Sequence, residues 1–358
     1  MNTDQFIAKS TLKFVETASF TWQTPSNIAL VKYWGKSNPQ IPKNASISFT
    51  LNNCHTITRV DFIKKEKSDE VVFNLFFEGK QKDEFKPKIA EFFRRVQSYC
   101  PYILEYEMTI NSENSFPHSS GIASSASGLS ALSLCFASMA QSLNIPHDED
   151  FYRFASTLSR LGSGSASRSI FGNLVVWGKH LLIDGSSDNY ATPLSSEVHQ
   201  VFENFQDTIL LVDKGEKQVS STVGHGLMND HPYASKRFEQ ASENLSKMKA
   251  ILSSGDLDAF GNLVESEALT LHAMMMTSNP YFILMKPNTL RIIEEIWKFR
   301  KETKTPVYFT LDAGANVHML FPEMVKNKVD TFTKSKLVGY CKNEEYICDQ
   351  IGQGPKQL

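Results

Sequence analysis

The stretch Phe116-Pro117-His118-Ser119-Ser120-Gly121-Ile122-Ala123-Ser124-Ser125-Ala126-Ser127-Gly128 constrains the fold more than any other part of the chain. Most of its side chains are small, and Ile122, Leu129, Leu132, Phe136, Met139 and Leu143 recur at helical spacing through and behind it. The spacing predicts a helix that begins inside the loop and buries one face. The first turn of a helix leaves N–H groups unpaired and carries partial positive charge, which suits a bound phosphate. Serine hydroxyls add donors and can reach a phosphate-bound Mg²⁺. The same composition also suits a Ser-rich cap on a helix packed through small residues, and composition alone leaves both readings open. Common phosphate motifs do not decide between them. Gly35-Lys36-Ser37 ends like a Walker A loop, but Leu30 stands where its first glycine belongs. No G-x-G-x-x-G follows a strand, and the HRD and DFG set of protein kinases is absent.

Around this loop, strand and helix signals mix without regular βαβ alternation, which predicts an α+β fold. Residues before about Thr21 read as an extension, and Asn27 to Tyr33 as a buried strand. Ile47, Phe49 and Leu51 alternate with polar residues, Asn52-Asn53 is a plausible turn, and His55 to Phe62 reads as the returning strand. Val71 to Phe77 is a further strand, Lys86 to Tyr99 a helix, Phe151 to Leu161 a helix with Asp148 as candidate cap, and Ile170 to Trp177 a strand. The chain turns polar over Asp184 to Ser196, which places a boundary between residues 1–190 and 191–358. In the second half, Thr208 to Val212, Val307 to Leu311 and Val317 to Phe321 read as strands. His231 to Leu252, Asp256 to Met274 and Leu290 to Lys301 read as helices, with Gly255 as a stop signal.

Composition excludes several classes of function. With 37 basic and 39 acidic residues in 358, no overall field favours nucleic acid or an anionic membrane, so an anionic ligand must be held by local cations. The five scattered cysteines form no CxxC and read as reduced thiols of a cytoplasmic protein. Met1 to Gln5 lacks a secretory pattern, and no run of about 18 apolar residues predicts a membrane span.

The loop has companions. Its P-x-x-x-G-[LI]-x-S-S-[AS] pattern resembles the phosphate loop of the GHMP small-molecule kinases. Asn27-Ile28-Ala29-Leu30-Val31-Lys32-Tyr33-Trp34-Gly35-Lys36, followed by Asn44-Ala45-Ser46-Ile47-Ser48, resembles the N-terminal signature of the diphosphomevalonate decarboxylases within that superfamily. Gly162 to Ser169, Val219-Ser220-Ser221-Thr222 and Thr310-Leu311-Asp312-Ala313-Gly314-Ala315-Asn316 resemble further segments of that family, in family order. Departures are modest. Ser167 stands where the family usually has cysteine, Ala315 replaces a proline and loosens its turn, and His118-Ser119 replace the commoner Thr-Ala. No clear arginine for the substrate diphosphate aligns between Gly79 and Arg95, where Lys86, Lys88 or Arg94 could serve.

The resemblance implies a two-domain GHMP-kinase-like fold, an N-terminal ribosomal-protein-S5-like domain and a C-terminal ferredoxin-like α/β sandwich. It implies ATP-driven decarboxylation of mevalonate 5-diphosphate, with Mg²⁺ bound through the nucleotide phosphates, in a homodimer. Phosphorylation of the tertiary hydroxyl would make it a good leaving group, and loss of CO₂ would supply electrons for the alkene. Asp312 is the expected catalytic carboxylate, orienting the hydroxyl and accepting its proton. Lys32 would keep Asp312 ionised and stabilise transferring charge. Arg168 would hold the substrate carboxylate through its planar fork, beside the hydroxyls of Ser163 and Ser165. Tyr33, Lys36, Ser221 and Thr222 would bind the 5-diphosphate, and Ser119, Ser120, Gly121, Ala123, Ser124 and Ser125 the nucleotide. No residue is expected as a metal ligand. Trp34, His225, His272 and His318 read as packing or surface residues. The competing readings are a decarboxylase of the 5-monophosphate, a mevalonate 3-kinase that retains CO₂, and a non-catalytic ligand sensor.

Overall fold

Two long strands form the spine of the molecule. The computed structural model describes residues 14–117, 122–145, 151–195, 197–214 and 221–358. In chain order its strands are β1 (Thr17–Val31), β2 (Lys36–Ser37), β3 (Ile41–Pro42), β4 (Ser46–Lys64), β5 (Val72–Phe77), β6 (Lys80–Gln81), β7 (Tyr106–Asn114), β8 (Leu174–Trp177), β9 (Ala191–Pro193), β10 (Gln206–Leu210), β11 (Tyr308–Thr310), β12 (Val317–Phe321), β13 (Tyr346–Gln350) and β14 (Lys356–Gln357). The α-helices are α1 (Lys86–Val96), α2 (Ser124–Ser142), α3 (Phe151–Gly162), α4 (Ser221–Gly226), α5 (Ala234–Ser254), α6 (Leu257–Met276), α7 (Pro287–Thr303) and α8 (Lys326–Phe332). One mixed sheet, two antiparallel sheets and separate helices make the fold α+β, as the sequence pattern predicts.

The first sheet runs β14-β1-β4-β7-β5-β6, with β8 and β9 attached through β4. The second runs β11-β12-β10-β13. Two expectations about the spine fail. β1 starts at Thr17, inside the supposed extension, because Thr17 to Thr24 pairs with Ile63 to Thr56 of β4. The expected turn at Asn52-Asn53 does not form, and β4 runs through it. The N–H groups of Asn52, Asn53 and Cys54 donate to the Asp349 carboxylate at 2.8, 2.8 and 2.7 Å, so they need no turn partner. The β1–β4 register shifts between Pro25 and Asn27, and a bulge bends a strand without reversing it.

Helix α2 also differs from expectation. It is buried on nearly all sides from Ala126 to Ala140. Its serines tolerate this because they bond within the helix, Ser130 Oγ to Ala126 O at 2.6 Å and Ser133 Oγ to Leu129 O at 2.7 Å. Phe92 and Phe93 stack on the ring of Phe136 from the helix, and Phe62 meets the same ring at a tilt, in the first core. A second core joins the halves of the chain, with Ile28, Leu30 and Phe49 packed in one cluster with Leu245, Met248, Ile209 and Leu320. Between α5 and α6, Gly255 takes φ +77°, and Asp256 caps α6 by accepting from Ala259 N at 2.9 Å. Among the described residues, no helix is long and apolar enough to cross a membrane.

Candidate active site

Lys32 follows directly on the end of β1 and is 1% exposed. Its backbone is fixed from three sides. Its N–H donates to Glu267 Oε2 at 2.8 Å, and its carbonyl accepts from Asn44 Nδ2 at 3.0 Å and Arg237 Nη2 at 3.2 Å. Arg237 also grips both Glu267 oxygens, at 2.9 and 2.6 Å, while Asn244 Nδ2 donates to Oε1 at 2.6 Å. Sequence reading missed this buried network, because Glu267 on α6 and Arg237 and Asn244 on α5 stand in no motif, and Asn44, in the loop before β4, lies in the signature segment without an expected role.

The Lys32 ammonium donates to Asp312 Oδ1 at 2.9 Å. Burial pushes the Lys32 pKa down, opposed by the Asp312 charge. For Asp312 burial pushes upward, but Lys32, His318 and Arg168 outweigh it and hold the carboxyl below the usual range. The Asp312 side chain keeps 28% exposure while that of Lys32 keeps 2%, so the carboxylate is the member that meets a ligand. Its turn is pinned despite Ala315. Asp312 O accepts from Gly314 N and from His272 Nε2, at 2.7 and 3.1 Å, and Thr289 Oγ1 donates to Ala315 O at 2.6 Å. Burial lowers the His272 pKa to about 4, so the ring is neutral at pH 7 and donates from Nε2.

Arg168 sits in the short helical turn Gly164–Ile170, buried, with Nε donating to Asn27 Oδ1 at 3.2 Å and Nη1 to Ser46 Oγ at 2.5 Å. Neutral groups hold it, and burial lowers its pKa to about 10, so it stays charged at pH 7. Ser167, in place of cysteine, is satisfied by donating to Gly164 O at 2.8 Å. Gly164 itself is required, since a Cβ there would lie 2.3 Å from the Trp177 ring. Tyr33 packs between Trp177, edge to face, and a tilted His225 ring, with ring centroids 4.7 and 4.3 Å away. Its hydroxyl is buried without a hydrogen-bond partner, which leaves a donor for a ligand.

These groups line one cavity of about 1020 Å³. Lys32, Tyr33, Lys36, Ser163, Ser165, Arg168, Thr222, Ala123, Ser124, Ser125 and Asp312 all face it. The start of α2 forms one wall, where Ala123 takes φ +49° and Ser125 Oγ accepts from Lys88 Nζ at 2.8 Å. Ser119, Ser120, Gly121, Asp148, Val219, Ser220 and the Ser221 side chain lie outside the described residues. Of the three basic candidates left open near α1, only Lys88 lines the cavity. Lys86 pairs with Asp83 and Arg94 with Glu91. Arg95 lines it too, held by Glu91 and Leu161 O. His225 and Trp34 are buried packing and also cavity wall, and burial lowers the His225 pKa to about 3. Seven lysines and arginines face the cavity against four carboxylates, so a chain of net charge −2 presents a cationic site. Among the described residues no group of three His, Cys, Asp or Glu side chains could hold a metal ion. The hydroxyls and cations instead fit phosphates that bring Mg²⁺ with them.

A family model for the diphosphomevalonate decarboxylase-like N-terminal domain matches residues 24–191, and one for the mevalonate 5-diphosphate decarboxylase C-terminal domain matches residues 208–357. The diphosphomevalonate decarboxylase of Debaryomyces hansenii is 30% identical over 331 residues, covering 88% of this chain and 82% of the relative.

The chain belongs to the diphosphomevalonate decarboxylase family.

The family's fold is reproduced closely. The mevalonate diphosphate decarboxylase structure from Staphylococcus aureus superposes with a TM-score of 0.81 at 27% identity, covering 98% of this chain and all of that one. A solved complex of MDDEF with MVAPP, AMPPCP and magnesium gives a TM-score of 0.81 at 28% identity, covering 96% of this chain and 99% of that one. The two-domain GHMP-like architecture expected from the motifs is therefore the observed one.

Proposed function

We infer that the chain catalyses ATP-dependent decarboxylation of mevalonate 5-diphosphate to isopentenyl diphosphate, CO₂, ADP and phosphate. The observation that carries this reading is the Lys32–Asp312 ion pair sharing one cationic cavity with Arg168 and the start of α2. Asp312 orients the tertiary 3-hydroxyl and accepts its proton, with Lys32 beside it to keep the carboxylate charged. ATP, carrying Mg²⁺ on its phosphates, supplies the phosphoryl group that makes this oxygen a leaving group. The start of α2, with Ser124, Ser125 and Lys88, meets the nucleotide phosphates.

Arg168 holds the substrate carboxylate with Ser163 and Ser165 nearby. Its grip is set by Asn27 and Ser46, so it orients the group that departs as CO₂ without moving toward it. Tyr33, Lys36 and Thr222, joined by Ser221, take the 5-diphosphate. Burial and the neighbouring Arg95 depress the Lys36 pKa, an arrangement that an incoming anion relieves.

A unit boundary near residue 190 is supported by the separate matches to residues 24–191 and 208–357. A cytoplasmic location is the accompanying reading, supported by free cysteines at all five positions, and a homodimer is what the family resemblance implies. Light scattering on the purified chain tests the dimer. The reaction is tested by offering ATP with mevalonate, its 5-phosphate or its 5-diphosphate and measuring ADP and CO₂ separately. Both products with the diphosphate alone are expected. ADP without CO₂ would make the chain a kinase, and CO₂ only from the monophosphate would change the substrate.

A further inference from the structure

His225 carries a polar atom that its packing does not use. Its Nδ1 accepts from Gly35 N at 2.9 Å. An imidazole nitrogen accepts only through a free lone pair, so the single proton of the neutral ring sits on Nε2. A second proton would break the bond from Gly35. Burial and the Lys36 and Arg168 charges oppose it as well, and hold the pKa at about 3. Nε2 is therefore an uncharged N–H donor at neutral pH. Among the described residues it has no hydrogen-bond partner, and His225 lines the cavity. A donor left unpaired there gains a bond when a ligand brings an acceptor.

Direct contacts fix where the ring stands. Thr222 and His225 are one turn apart on α4, which gives them one face, and both line the cavity. Helix α4 lies close against the segment that follows β1. A Cβ on Gly224 would come within 2.6 Å of the Trp34 ring, and the His225 ring centroid is 4.6 Å from that of Trp34 and 4.3 Å from that of Tyr33. The residue bonded to Nδ1 is the one before Lys36. His225 thus shares its stretch of wall with the unpaired Tyr33 hydroxyl, the Lys36 ammonium and Thr222. A ligand that meets all four must be an anion with several acceptor oxygens. A neutral donor adds recognition of such an anion without adding another cation beside Lys36.

We propose that His225 is a further substrate-binding residue, whose Nε2–H donates to an oxygen of the 5-diphosphate beside Tyr33, Lys36 and Thr222. The inference rests on the reading that these three groups hold the diphosphate. Two substitutions separate the two ring nitrogens. Asparagine sets an amide oxygen near the place of Nδ1, and glutamine sets an amide nitrogen near the place of Nε2. His225→Asn therefore keeps an acceptor for Gly35 N and removes the cavity donor, while His225→Gln does the reverse. Calorimetric titration with mevalonate 5-diphosphate is expected to show affinity weakened by about 10- to 100-fold in His225→Asn, as for loss of a hydrogen bond to a charged group. In steady-state kinetics the loss should fall on the KM for mevalonate 5-diphosphate and not on that for ATP. His225→Gln should bind within a few-fold of wild type yet unfold at lower urea than His225→Asn, because Gly35 N loses its acceptor. Wild-type affinity in His225→Asn, or affinity that follows stability across the two variants, would overturn the proposal. If His225→Gln does not fold, NMR of the wild-type chain with labelled histidine ring nitrogens reads the same contact. The Nε2 signal should be that of a protonated nitrogen and should move when mevalonate 5-diphosphate is added; a signal that stays in place sinks the idea. The two layers come apart in the wild-type chain. Binding of the diphosphate no tighter than of mevalonate removes the diphosphate reading itself, whereas tight binding of the diphosphate by both wild type and His225→Asn removes only His225.

Discussion

Lys32 Nζ lies 2.9 Å from Asp312 Oδ1, and 280 positions of sequence separate the two residues. The ammonium is enclosed and the carboxylate faces the cavity, so the lysine secures the charge of the group that works on substrate. Breaking either side is expected to be costly for the reaction. Asp312→Asn should lower kcat by about 10³-fold, within the range for loss of a positioned base, while ATP still binds by equilibrium titration. Lys32→Met should lower it comparably, and the double variant should lose less than the product of the two losses.

Arg168 donates to two different neutral acceptors, which a lysine cannot match from one ammonium at the end of a flexible stem. Arg168→Lys should reduce kcat/KM for the phosphorylated substrate by about 10- to 100-fold. The KM for ATP should stay unchanged. Steady-state kinetics with each substrate varied in turn check the split.

Glu267 and Arg237 form a pair with side-chain exposures of 0% and 1%, and Glu267 also receives the Lys32 N–H. Glu267→Gln leaves Arg237 charged and buried without its carboxylate. The expected loss is about 3–5 kcal/mol of stability, read by urea unfolding. Turnover should also fall at temperatures where the chain remains folded, because the Lys32 backbone loses an anchor.

Stability should weaken in acid. The His225 and His272 pKa values fall from 6.5 to about 3 and about 4 through burial. Both folded-state values lie below the unfolded value, so folding disfavours the protonated rings. Their contribution is complete above pH 6.5 and is lost as the pH falls toward the folded values, by several kcal/mol in total on the order set by such shifts. Thermal melts from pH 7 down to about pH 4.5 should show a falling Tm. His225→Asn should flatten the fall.

The motif-bearing parts of the site were legible because the chemistry there demands particular residues at short range. Lys32, Arg168, Asp312 and Ser124-Ser125 each stand in a local pattern, and each faces the cavity. Arg95, Lys88 and His225 were harder to place. Helix α1 turns Lys88 and Arg95 to the cavity and Arg94, the neighbour of Arg95, outward, and no motif in the sequence marks that face as the one that meets the site. The continuous course of β4 through Asn52-Asn53 was hidden for a different reason. Asn-Asn favours a turn locally, and the carboxylate that satisfies those N–H groups comes from Asp349, nearly three hundred residues later.

By itself the sequence determined the α+β class, the strands and helices with strong periodicity, and the identity of the groups able to hold phosphate, carboxylate and proton. These follow from local spacing, which short stretches of chain carry in full. The tertiary structure alone decided that Lys32 is buried against Asp312, that Glu267 and Arg237 hold its backbone, and that β13 and β14 return to bind both sheets. Those outcomes depend on charges and backbone donors brought together from distant positions. Their energies arise only once water has been excluded from between them.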